Sequence, residues 1–510
     1  PETQSGGRPG RGCQDQLFAL RLLQEEAMAA RLPLYAAFVD LAKAFDSIQR
    51  PLLYMMFRAL GLPALVVELF ESMYGATTCA VRVGAAVGER FSTFVGVQQG
   101  CLSGSWAFCL YIHFCMEPIM GDLAELGVRI VYRLRDGRRV DAASVALRGA
   151  RAGALHFMLA VLFIIDDTTL VADSAAELQR GLELLYAQFR RFGLAVNVAK
   201  SFAMAFGGVD GLACPSCGST GGARATVVLC DGCDAAWHLA CAGLEHVPEG
   251  EWRCAACVAA PAARPSVLHP PLVVAGAELR WAETDRYLGV TLSACGGLER
   301  EVTARIRQAR AAFAVLRPML EACSSSPSDC VRAAFCDAFS ATVSAVMLYG
   351  AGVWALPAAE LERLEVCQRG MLRAALPRAE RRRWAARQQR APREVLYRFF
   401  PVPTVATQLA RAQLHWLGHV LRMAPERMPR VMMDGRRAAI GPGAGKGCSY
   451  PSLMGVYGRL GVYQELVDRF LLGRAATARR EIFDMPRERD VAVLAKDKNK
   501  WQQFIRSVIV

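Results

Sequence analysis

The sequence predicts an α+β protein with a small metal-binding module inserted into it. Three observations support this prediction. In the first half of the chain, short apolar runs that end in aspartate indicate buried strands, and amphipathic stretches between them indicate helices. Seven of the 18 Cys lie between Cys214 and Cys257. From Leu298 onward the apolar residues recur with mostly helical spacing.

The individual elements follow from apolar periodicity and from the glycine and proline residues that interrupt it. Helices are predicted at residues 14–30, 51–60, 65–74, 106–116 and 175–192. Strands are predicted at residues 34–39, 155–165, 194–206, 272–279 and 287–292, and a hairpin at residues 80–94.

The chain carries 60 Lys and Arg against 47 Asp and Glu, a net charge of +13. An excess of this sign suits a polyanionic partner such as a nucleic acid. Sixteen Arg and no Lys lie between Arg369 and Arg437, against four acidic residues, so nearly all of the excess is in one stretch. Two interpretations stay open: a surface that neutralises phosphates, or a solvated arginine-rich face.

Hydrophobic residues make up 53% of the chain and charged residues 21%, which excludes intrinsic disorder as the overall state. Residues 155–165 are apolar but too short to cross a bilayer. Residues 339–359 are long enough, but they contain Ser, Thr, Gly and Pro and lack a basic flank. We therefore expect a buried core helix that breaks near Gly350, and no membrane partner.

The cysteine cluster has the spacing of a metal site. Four pairs of ligands, each pair separated by two residues, are formed by Cys214 and Cys217, Cys230 and Cys233, His238 and Cys241, and Cys254 and Cys257. Zinc takes four nitrogen or sulfur ligands, so eight ligands suit two structural Zn2+ ions. A segment of about fifty residues buries little apolar surface, and metal binding would supply its folding free energy.

With His fifth among the eight ligands and Trp252 two residues before Cys254, the segment resembles a PHD finger. A RING finger usually places its His fourth. The resemblance implies cross-braced ligation of the two zinc ions. One ion would take Cys214, Cys217, His238 and Cys241, and the other Cys230, Cys233, Cys254 and Cys257.

PHD fingers often bind histone tails, which implies a protein that is synthesised in the cytoplasm and acts in the nucleus. Ala236 stands where fingers that bind methyl-lysine usually carry an aromatic cage residue. The run at residues 229–233, with Asp231 as an acidic contact, resembles fingers that bind unmodified tails. A zinc module without a histone ligand stays open as the alternative.

A second pattern consists of acidic residues at the ends of apolar runs. Asp40 follows residues 34–39, and Asp166 and Asp167 follow residues 155–165. A buried carboxylate without a partner is costly, so these strand ends are expected to meet cations. Mg2+ prefers carboxylate oxygens together with substrate phosphates, and two strands that bring their carboxylates to one point can hold a two-metal site.

The order of the surrounding motifs resembles the reverse transcriptases of non-LTR (LINE-type) retrotransposons over residues 5–429, apart from the zinc module. The matching segments, in chain order, are Gly7-Arg8-Pro9-Gly10-Arg11 with Asp15-Gln16-Leu17-Phe18, the run from Phe38 to Asp46, Gly96-Val97-Gln98-Gln99-Gly100-Cys101, Ile165-Asp166-Asp167, Gly193-Leu194-x-Val196-Asn197-x-x-Lys200, and Tyr287-Leu288-Gly289. Tyr349-Gly350-x-x-x-Trp354 and Leu414-His415-Trp416-Leu417-Gly418-His419 resemble downstream pieces of LINE polyproteins. The similarity implies palm and fingers on an antiparallel sheet, then a helical thumb and C-terminal region.

The resemblance also implies roles for charged residues. Asp40, Asp166 and Asp167 would bind two catalytic Mg2+ ions. Lys200 would protonate or neutralise the pyrophosphate leaving group. Asp46, six residues after Asp40, is expected to be structural.

Other implied roles concern the substrates, which would be an RNA template, a DNA primer and dNTPs. Phe45 would exclude a ribose 2′-hydroxyl, and Gln99 and Gly100 would line the nucleotide pocket. The Tyr287-Leu288-Gly289 hairpin would be the primer grip.

We expect five segments: fingers and palm at 1–211, the PHD-type finger at 212–260, a palm continuation with the primer grip at 261–297, a helical thumb and basic region at 298–430, and a tail at 431–510. Because Pro1 already lies within the fingers by this alignment, we expect the chain to be a piece of a longer protein.

A second function from another class stays open. Ile164 and Ile165 stand where the family has Tyr and Ala, and residues 102–105 are Leu-Ser-Gly-Ser where it has Pro-Leu-Ser-Pro. The alternative is a catalytically inactive retroelement remnant that binds chromatin or nucleic acid. The sequence therefore leaves two hypotheses, a polymerase and a binding protein.

Overall fold

A computed structural model describes residues 5–30, 33–133, 154–207, 227–229, 236–246, 248, 252–255, 258, 270–316, 319, 329–439 and 495–509. The chain divides into two compact units: residues 1–16 with 23–283, and residues 17–22 with 284–510. Helix α1 (Cys13–Ala30) contributes residues to both units. The five-segment division predicted from the sequence stays a prediction.

Unit 1 combines helices with short strands. Its further helices are α2 (Arg50–Ala59), α3 (Ala64–Gly75), α4 (Leu102–Met116), α5 (Met120–Leu126) and α6 (Ala175–Arg191). Its strands are β1 (Pro33–Val39), β2 (Leu41–Ala42), β3 (Thr78–Val83), β4 (Ala86–Ser92), β5 (Val128–Arg133), β6 (Ala154–Leu159), β7 (Val161–Ile164), β8 (Asp167–Ala172), β9 (Ala195–Val196), β10 (Phe202–Gly207), β11 (Val227–Leu229), β12 (Ala236–His238), β13 (Val273–Val274), β14 (Ala277–Glu278) and β15 (Arg280–Trp281).

The central sheet of unit 1 has five strands in the order β15-β10-β1-β8-β7. Strands β10, β1, β8 and β7 pair antiparallel, and β15 joins β10 in parallel. Six of the seven residues of the central strand β1 are buried. Because both of its faces are covered, its sequence is an almost continuous apolar run. This mixture of helices and an antiparallel sheet confirms the predicted α+β class.

Helix α6 shows how the sequence sets a helix against the sheet. The Ser174 hydroxyl accepts a hydrogen bond from the Glu177 amide at 3.2 Å, which caps the helix start. Leu178, Leu182 and Leu185 recur at helical spacing and are buried in the core of unit 1. The predicted helix at 175–192 is therefore confirmed.

Two predicted strands are interrupted in the structure. Residues 155–165 form β6, which pairs with β5 in a separate hairpin, and β7, which joins the central sheet; the break is at Ala160. Residues 194–206 form β9 and β10, separated by a turn over residues 198–200. The prediction of one continuous strand was wrong in both places, because each half pairs with a different partner strand.

Unit 2 is helical apart from one hairpin in the residues that the structure describes. The hairpin consists of β16 (Thr284–Tyr287) and β17 (Val290–Ser293) where one strand was predicted at 287–292. The helices are α7 (Glu299–Val315), α8 (Asp329–Phe339), α9 (Ala345–Met347), α10 (Ala358–Ala375), α11 (Arg378–Ala386), α12 (Arg393–Phe399), α13 (Val405–Arg422), α14 (Met428–Ala439) and α15 (Lys498–Ile509).

One helical stretch among the described residues, Asp329–Met347, is long and apolar enough to cross a membrane by length and composition alone. A single helix of this kind is weak evidence, because core helices pass the same test. Phe335, Phe339 and Met347 are buried in the core of unit 2. Gly350 follows in a left-handed conformation with φ +76°, as expected for a break there.

The last described helix, α15, is fixed to α13. Trp501 is fully buried, and its indole Nε1 donates to the Leu414 carbonyl at 3.1 Å. A Cβ on Gly418 would overlap the same indole, so only glycine fits at this point of α13.

Candidate active site

Two adjacent strands bring the predicted carboxylates to one edge of the central sheet. Strand β1 ends at Val39, directly before Asp40, and β8 begins at Asp167. Val39 pairs with Thr168, so the antiparallel register, continued by one residue, sets Asp40 opposite Asp167. Opposite residues of such a pair have Cβ atoms about 5 Å apart.

Asp166 lies in the two-residue turn that joins β7 to β8. Ile164 pairs with Asp167 across this turn. Ile165, the first turn residue, has φ +55°. A β-branched residue in the left-handed region costs about 1–2 kcal/mol, so backbone strain is stored next to the carboxylates.

The electrostatics of the three carboxylates are coupled. Burial, then the charges of Asp166 and Asp40, raises the pKa of Asp167 to about 6. Burial also raises the pKa of Asp166, partly opposed by a hydrogen bond to its own backbone amide, and the charge of Asp40 adds to the rise. Because burial and mutual repulsion make the charged carboxylates unfavourable here, a bound cation would stabilise them.

The fit to a shared metal ion is incomplete in the side-chain positions. Within the described part of the chain, no three His, Cys, Asp or Glu side chains converge closely enough to ligate one ion. The backbones of Asp40, Asp166 and Asp167 nevertheless lie at adjoining strand ends. The residue types suit Mg2+, which prefers carboxylate oxygens.

A turn after β9 holds the backbone of Asp40 from the other side. The Asn197 amide donates to the Asp40 carbonyl at 2.8 Å, and the Asp40 amide donates to the Ser201 hydroxyl at 3.0 Å. That hydroxyl donates in turn to the Asn197 carbonyl at 2.8 Å. Lys200 belongs to the same turn, and its side chain is exposed. Asp40 and Lys200 are thus held on one small scaffold.

Phe45 lies on a short 3-10 helix (Phe45–Ser47), and its ring stacks on Phe108 with centroids 4.8 Å apart. The Phe45 carbonyl accepts from the Val97 amide at 2.8 Å, and the Ile48 carbonyl accepts from the Gly96 amide at 2.8 Å. The segment that leads to Gln99 is therefore fastened directly to the segment that carries Phe45.

Gln99 and Gly100 are exposed at the end of that fastened segment, just before α4. Gly100 has φ +77°, and a Cβ there would meet nothing within 4 Å. A Cβ on Gly104 would lie 2.3 Å from the Gln98 carbonyl oxygen, so the start of α4 packs directly against the loop. The loop that carries Gln99 and Gly100 therefore starts beside Phe45, where the Val97 amide bonds to the Phe45 carbonyl.

Arg50 is a residue of this region that the sequence did not single out. Its side chain is buried, and it donates hydrogen bonds to backbone carbonyls and to one hydroxyl. Nε donates to Gly96 at 2.8 Å, Nη1 to Tyr74 at 2.8 Å and Thr93 at 2.7 Å, and Nη2 to Val95 at 3.0 Å and the Thr93 hydroxyl at 3.1 Å. The guanidinium thus uses its full set of donors to hold one loop.

The zinc-ligand candidates fall mostly outside the described residues. Cys214, Cys217, Cys230, Cys233 and Cys257 lie outside, whereas His238, Cys241 and Cys254 lie inside. Strands β11 and β12 pair antiparallel, with Val228 opposite Trp237. Trp237 contacts Trp252 edge-on at 6.3 Å between ring centroids.

Unit 2 contains a basic cavity of about 380 Å³ between the β16–β17 hairpin and α7. Three arginines and three threonines dominate its lining, and Arg300 donates to the Thr284 hydroxyl at 2.7 Å. The lining residues are Thr284, Asp285, Arg286, Thr291, Arg300, Thr303, Ala304 and Arg307. Guanidinium groups beside hydroxyls suit phosphate oxygens.

The arginine-rich stretch divides into two kinds of residues. Arg369 pairs with Glu362 at 2.5 Å, and Arg373 donates to the Ala391 carbonyl at 3.1 Å, so both have internal partners. Helix α11, in contrast, has no buried residues, and Arg381 and Arg382 on it are exposed. The exposed arginines of α11 suit either earlier interpretation, so the choice between a phosphate-neutralising surface and a solvated face stays a prediction.

The comparison with protein families decides the relationship. Residues 1–292, more than half of the chain, match the model for the reverse transcriptase (RNA-dependent DNA polymerase) family. The chain belongs to this family. The predicted resemblance to reverse transcriptases is confirmed at this level, and the strand ends with Asp40, Asp166 and Asp167 lie inside the matched region of the reverse transcriptase domain.

A curated relative is the Transposon TX1 uncharacterized 149 kDa protein of Xenopus laevis. The reverse transcriptase chain is 27% identical to it over 199 residues, which is 39% of this chain and 13% of that protein. The match therefore covers a small part of the relative's length.

Proposed function

We propose that this reverse transcriptase chain is the RNA-directed DNA polymerase part of a non-LTR retrotransposon protein. The observation that carries the proposal is the juxtaposition of Asp40, Asp166 and Asp167 at adjoining strand ends, where burial raises the pKa of both Asp166 and Asp167 and the charge of Asp40 adds to each rise. The similarity to a protein named for a transposon supports the retrotransposon context.

The proposed chemistry is nucleotidyl transfer to a primer. Two bound Mg2+ ions would activate the primer 3′-hydroxyl and stabilise the leaving oxygen of the dNTP. Asp40, Asp166 and Asp167 would hold these ions at the sheet edge. Lys200, exposed on the turn that grips the Asp40 backbone, would neutralise or protonate the departing pyrophosphate.

Selection of the nucleotide would depend on the segment joined to Phe45. The Phe45 ring, held against Phe108, would exclude a ribose 2′-hydroxyl. Gln99 and Gly100 would line the same pocket, because the Val97 amide fastens their segment to the Phe45 carbonyl. The basic cavity beside the β16–β17 hairpin would contact backbone phosphates of the template and primer.

Primer extension on an RNA template tests this proposal. Asp166→Asn is expected to lower incorporation by roughly 100-fold or more, because one carboxylate charge is lost from the metal site. Asp46→Asn is the matched control: Asp46 is exposed and six residues from Asp40, so activity should be kept. Incorporation that survives Asp166→Asn would refute the assigned site.

We further propose that residues 212–260 form a PHD-type finger with two structural Zn2+ ions and act in the nucleus. The four ligand pairs support this, and so does the contact between Trp237 and Trp252. Metal analysis of the full chain should find two zinc ions. Replacing both Cys254 and Cys257 by Ala should remove one, and a zinc content that does not change would refute the ligand set.

Histone binding is a separate part of this proposal. Titration of the full chain with histone peptides, with and without lysine methylation, would test it. Binding of the unmodified peptide alone is expected, because Ala236 supplies no aromatic cage. If all peptides bind with equal affinity, or if no peptide binds, histone recognition is refuted and the segment is a zinc module without a histone ligand.

The alternative is an inactive remnant that binds chromatin or nucleic acid. One observation favours it: among the described residues, no three acidic, His or Cys side chains converge on one point. The extension assay distinguishes the two proposals. Salt-dependent nucleic-acid binding without any incorporation would support the remnant.

A further inference from the structure

The turn of the β16–β17 hairpin has an unfavourable backbone conformation. Tyr287 pairs with Val290, and the two residues between them, Leu288 and Gly289, have φ +48° and +77°. Two successive left-handed residues form the type I′ turn that suits a tight hairpin, but leucine pays a steric cost of about 1–2 kcal/mol in this region. The turn therefore needs contacts that favour this conformation over others.

Tyr349 supplies two of these contacts. Its hydroxyl donates to the Leu288 carbonyl at 3.1 Å. Its ring lies against Gly289, where a Cβ would approach the ring carbon Cε1 to 3.2 Å. The neighbouring Gly350 has φ +76°, and a Cβ there would lie 3.3 Å from Val290. The Tyr349-Gly350 pair thus lies closely along the turn.

A buried charged group completes the support. Arg305 donates to the Gly289 carbonyl, and its guanidinium carbon lies 4.9 Å from the centre of the Tyr349 ring. The Arg305 Nε donates to Glu301 at 2.5 Å. The other oxygen of Glu301 accepts from the Thr291 amide at 2.6 Å. Arg305 and Glu301 are both almost fully buried, so this arrangement is rigid.

The strand after the turn has a third charged neighbour. Arg21 donates to the carbonyls of Thr291 and Gly296 at 3.4 Å each. Burial lowers the pKa of Arg21, and the charge of Glu301 opposes that effect. Each side of the turn is thus held by side chains from outside the hairpin.

We propose that Tyr349, together with Arg305, is a positioning residue that fixes the Leu288-Gly289 turn. This assigns a role to the Tyr349-Gly350-x-x-x-Trp354 motif, whose Trp354 carbonyl accepts from Gln413 at 2.9 Å and so ties the motif to α13. The proposal rests on the proposed function in one respect: it takes this turn as the element that locates the primer end. A displacement of about 1 Å there would lower the rate strongly.

Hydrogen exchange of the amides of residues 288–291 tests the support without any need for activity. Tyr349→Phe removes the hydroxyl and keeps the ring. Loss of one hydrogen bond is expected to speed exchange roughly 3- to 10-fold. Tyr186→Phe, on α6 of the other unit, is the matched control and should leave exchange in the turn unchanged. Unchanged exchange in Tyr349→Phe would overturn the proposal.

Primer-extension kinetics test the positioning role. In Tyr349→Phe the kcat/KM for primer should fall by roughly the same 3- to 10-fold factor, while the KM for dNTP stays constant. General destabilisation would not change one of these parameters and spare the other. Faster exchange with unchanged primer kinetics would overturn the positioning role. Faster exchange in Tyr349→Phe, found together with a wild-type chain that extends no primer, would refute the proposed polymerase function but support the role of Tyr349 in fixing the turn.

Discussion

The Arg50 Nε donates to the carbonyl oxygen of Gly96 at 2.8 Å, inside the loop that precedes Gln99 and Gly100. This bond is one of five from the same buried guanidinium to the loop and its neighbours. A buried cation that donates to the carbonyls and a hydroxyl of one loop stabilises that loop conformation, because its N–H groups are removed from water and would otherwise lack acceptors.

Arg50→Lys is expected to lower the free energy of unfolding by about 2 kcal/mol or more, since a lysine cannot reproduce the planar set of donors. Urea denaturation measures the change. Arg58→Lys on the same helix is the matched control. Arg58 pairs with Glu71 at an exposed site, so that change should cost less than about 1 kcal/mol. Equal losses in the two variants would contradict the importance of the buried contacts.

A second prediction concerns the close contact between α4 and the loop. Gly104→Ala would place a methyl group against the Gln98 carbonyl, so the variant should be destabilised by about 1–3 kcal/mol despite the better helix propensity of alanine. Gly121→Ala in α5 is the control, because a Cβ there meets nothing within 4 Å. Thermal unfolding should show that control unchanged or slightly stabilised. Stabilisation of both variants would show that the loop can move away.

The sequence predicted most elements of unit 1 because their apolar spacing is regular. It failed at Ala160, where an alanine in an apolar run carries no signature of a bend, although the pairing of β6 differs from that of β7. Asn197 was a usable sign of the turn after β9, because Asn favours turns. That sign was outweighed by the apolar residues on both sides of it.

A third prediction follows from the proton affinity of Asp167. Its pKa is raised from the ordinary value of 3.8 to about 6, first by burial and then by Asp166 and Asp40. The folded chain therefore holds this proton more tightly than the unfolded chain. The resulting stabilisation is complete below about pH 4 and is lost as the pH rises through about 6.

Thermal melts without divalent ions should show this dependence. At about pH 8, Asp167→Asn should melt at a higher temperature than the wild type, and the difference should shrink toward about pH 4. Added Mg2+ should raise the wild-type melting temperature at about pH 8 and have little effect on Asp167→Asn. A difference between the two proteins that does not vary with pH would contradict the coupling of these carboxylates.

A fourth prediction concerns the basic cavity of unit 2. Replacing Arg286 and Arg307 by Gln should weaken template–primer binding and make the slope of log affinity against log salt concentration less negative by about 1 to 2. Fluorescence anisotropy over a salt series measures this slope. The comparison pair is Arg381→Gln with Arg382→Gln on the exposed helix α11. If the slope changes only in the comparison pair, the arginine-rich stretch and not the cavity contacts the phosphates.

Only part of the candidate site could be predicted from the sequence. The carboxylates were found because aspartate at the end of an apolar run is unusual and costly. Arg50 was missed because an arginine in the first turn of a helix is opposed by the helix dipole and suggests no specific partner. Arg305 and Tyr349 were missed as a pair, because only the folded chain brings the turn at Leu288 to residues so distant in sequence.

The packing of Trp501 against Gly418 has a practical consequence for the design of truncated versions of the protein. A version that stops after Ala439 would strip α15 from α13 and leave the Leu414 carbonyl without the indole donor it has now. Water would fill the notch at Gly418, and the newly bared apolar surface would invite self-association. Helix α15 (Lys498–Ile509) therefore belongs in any version made for crystals or assays.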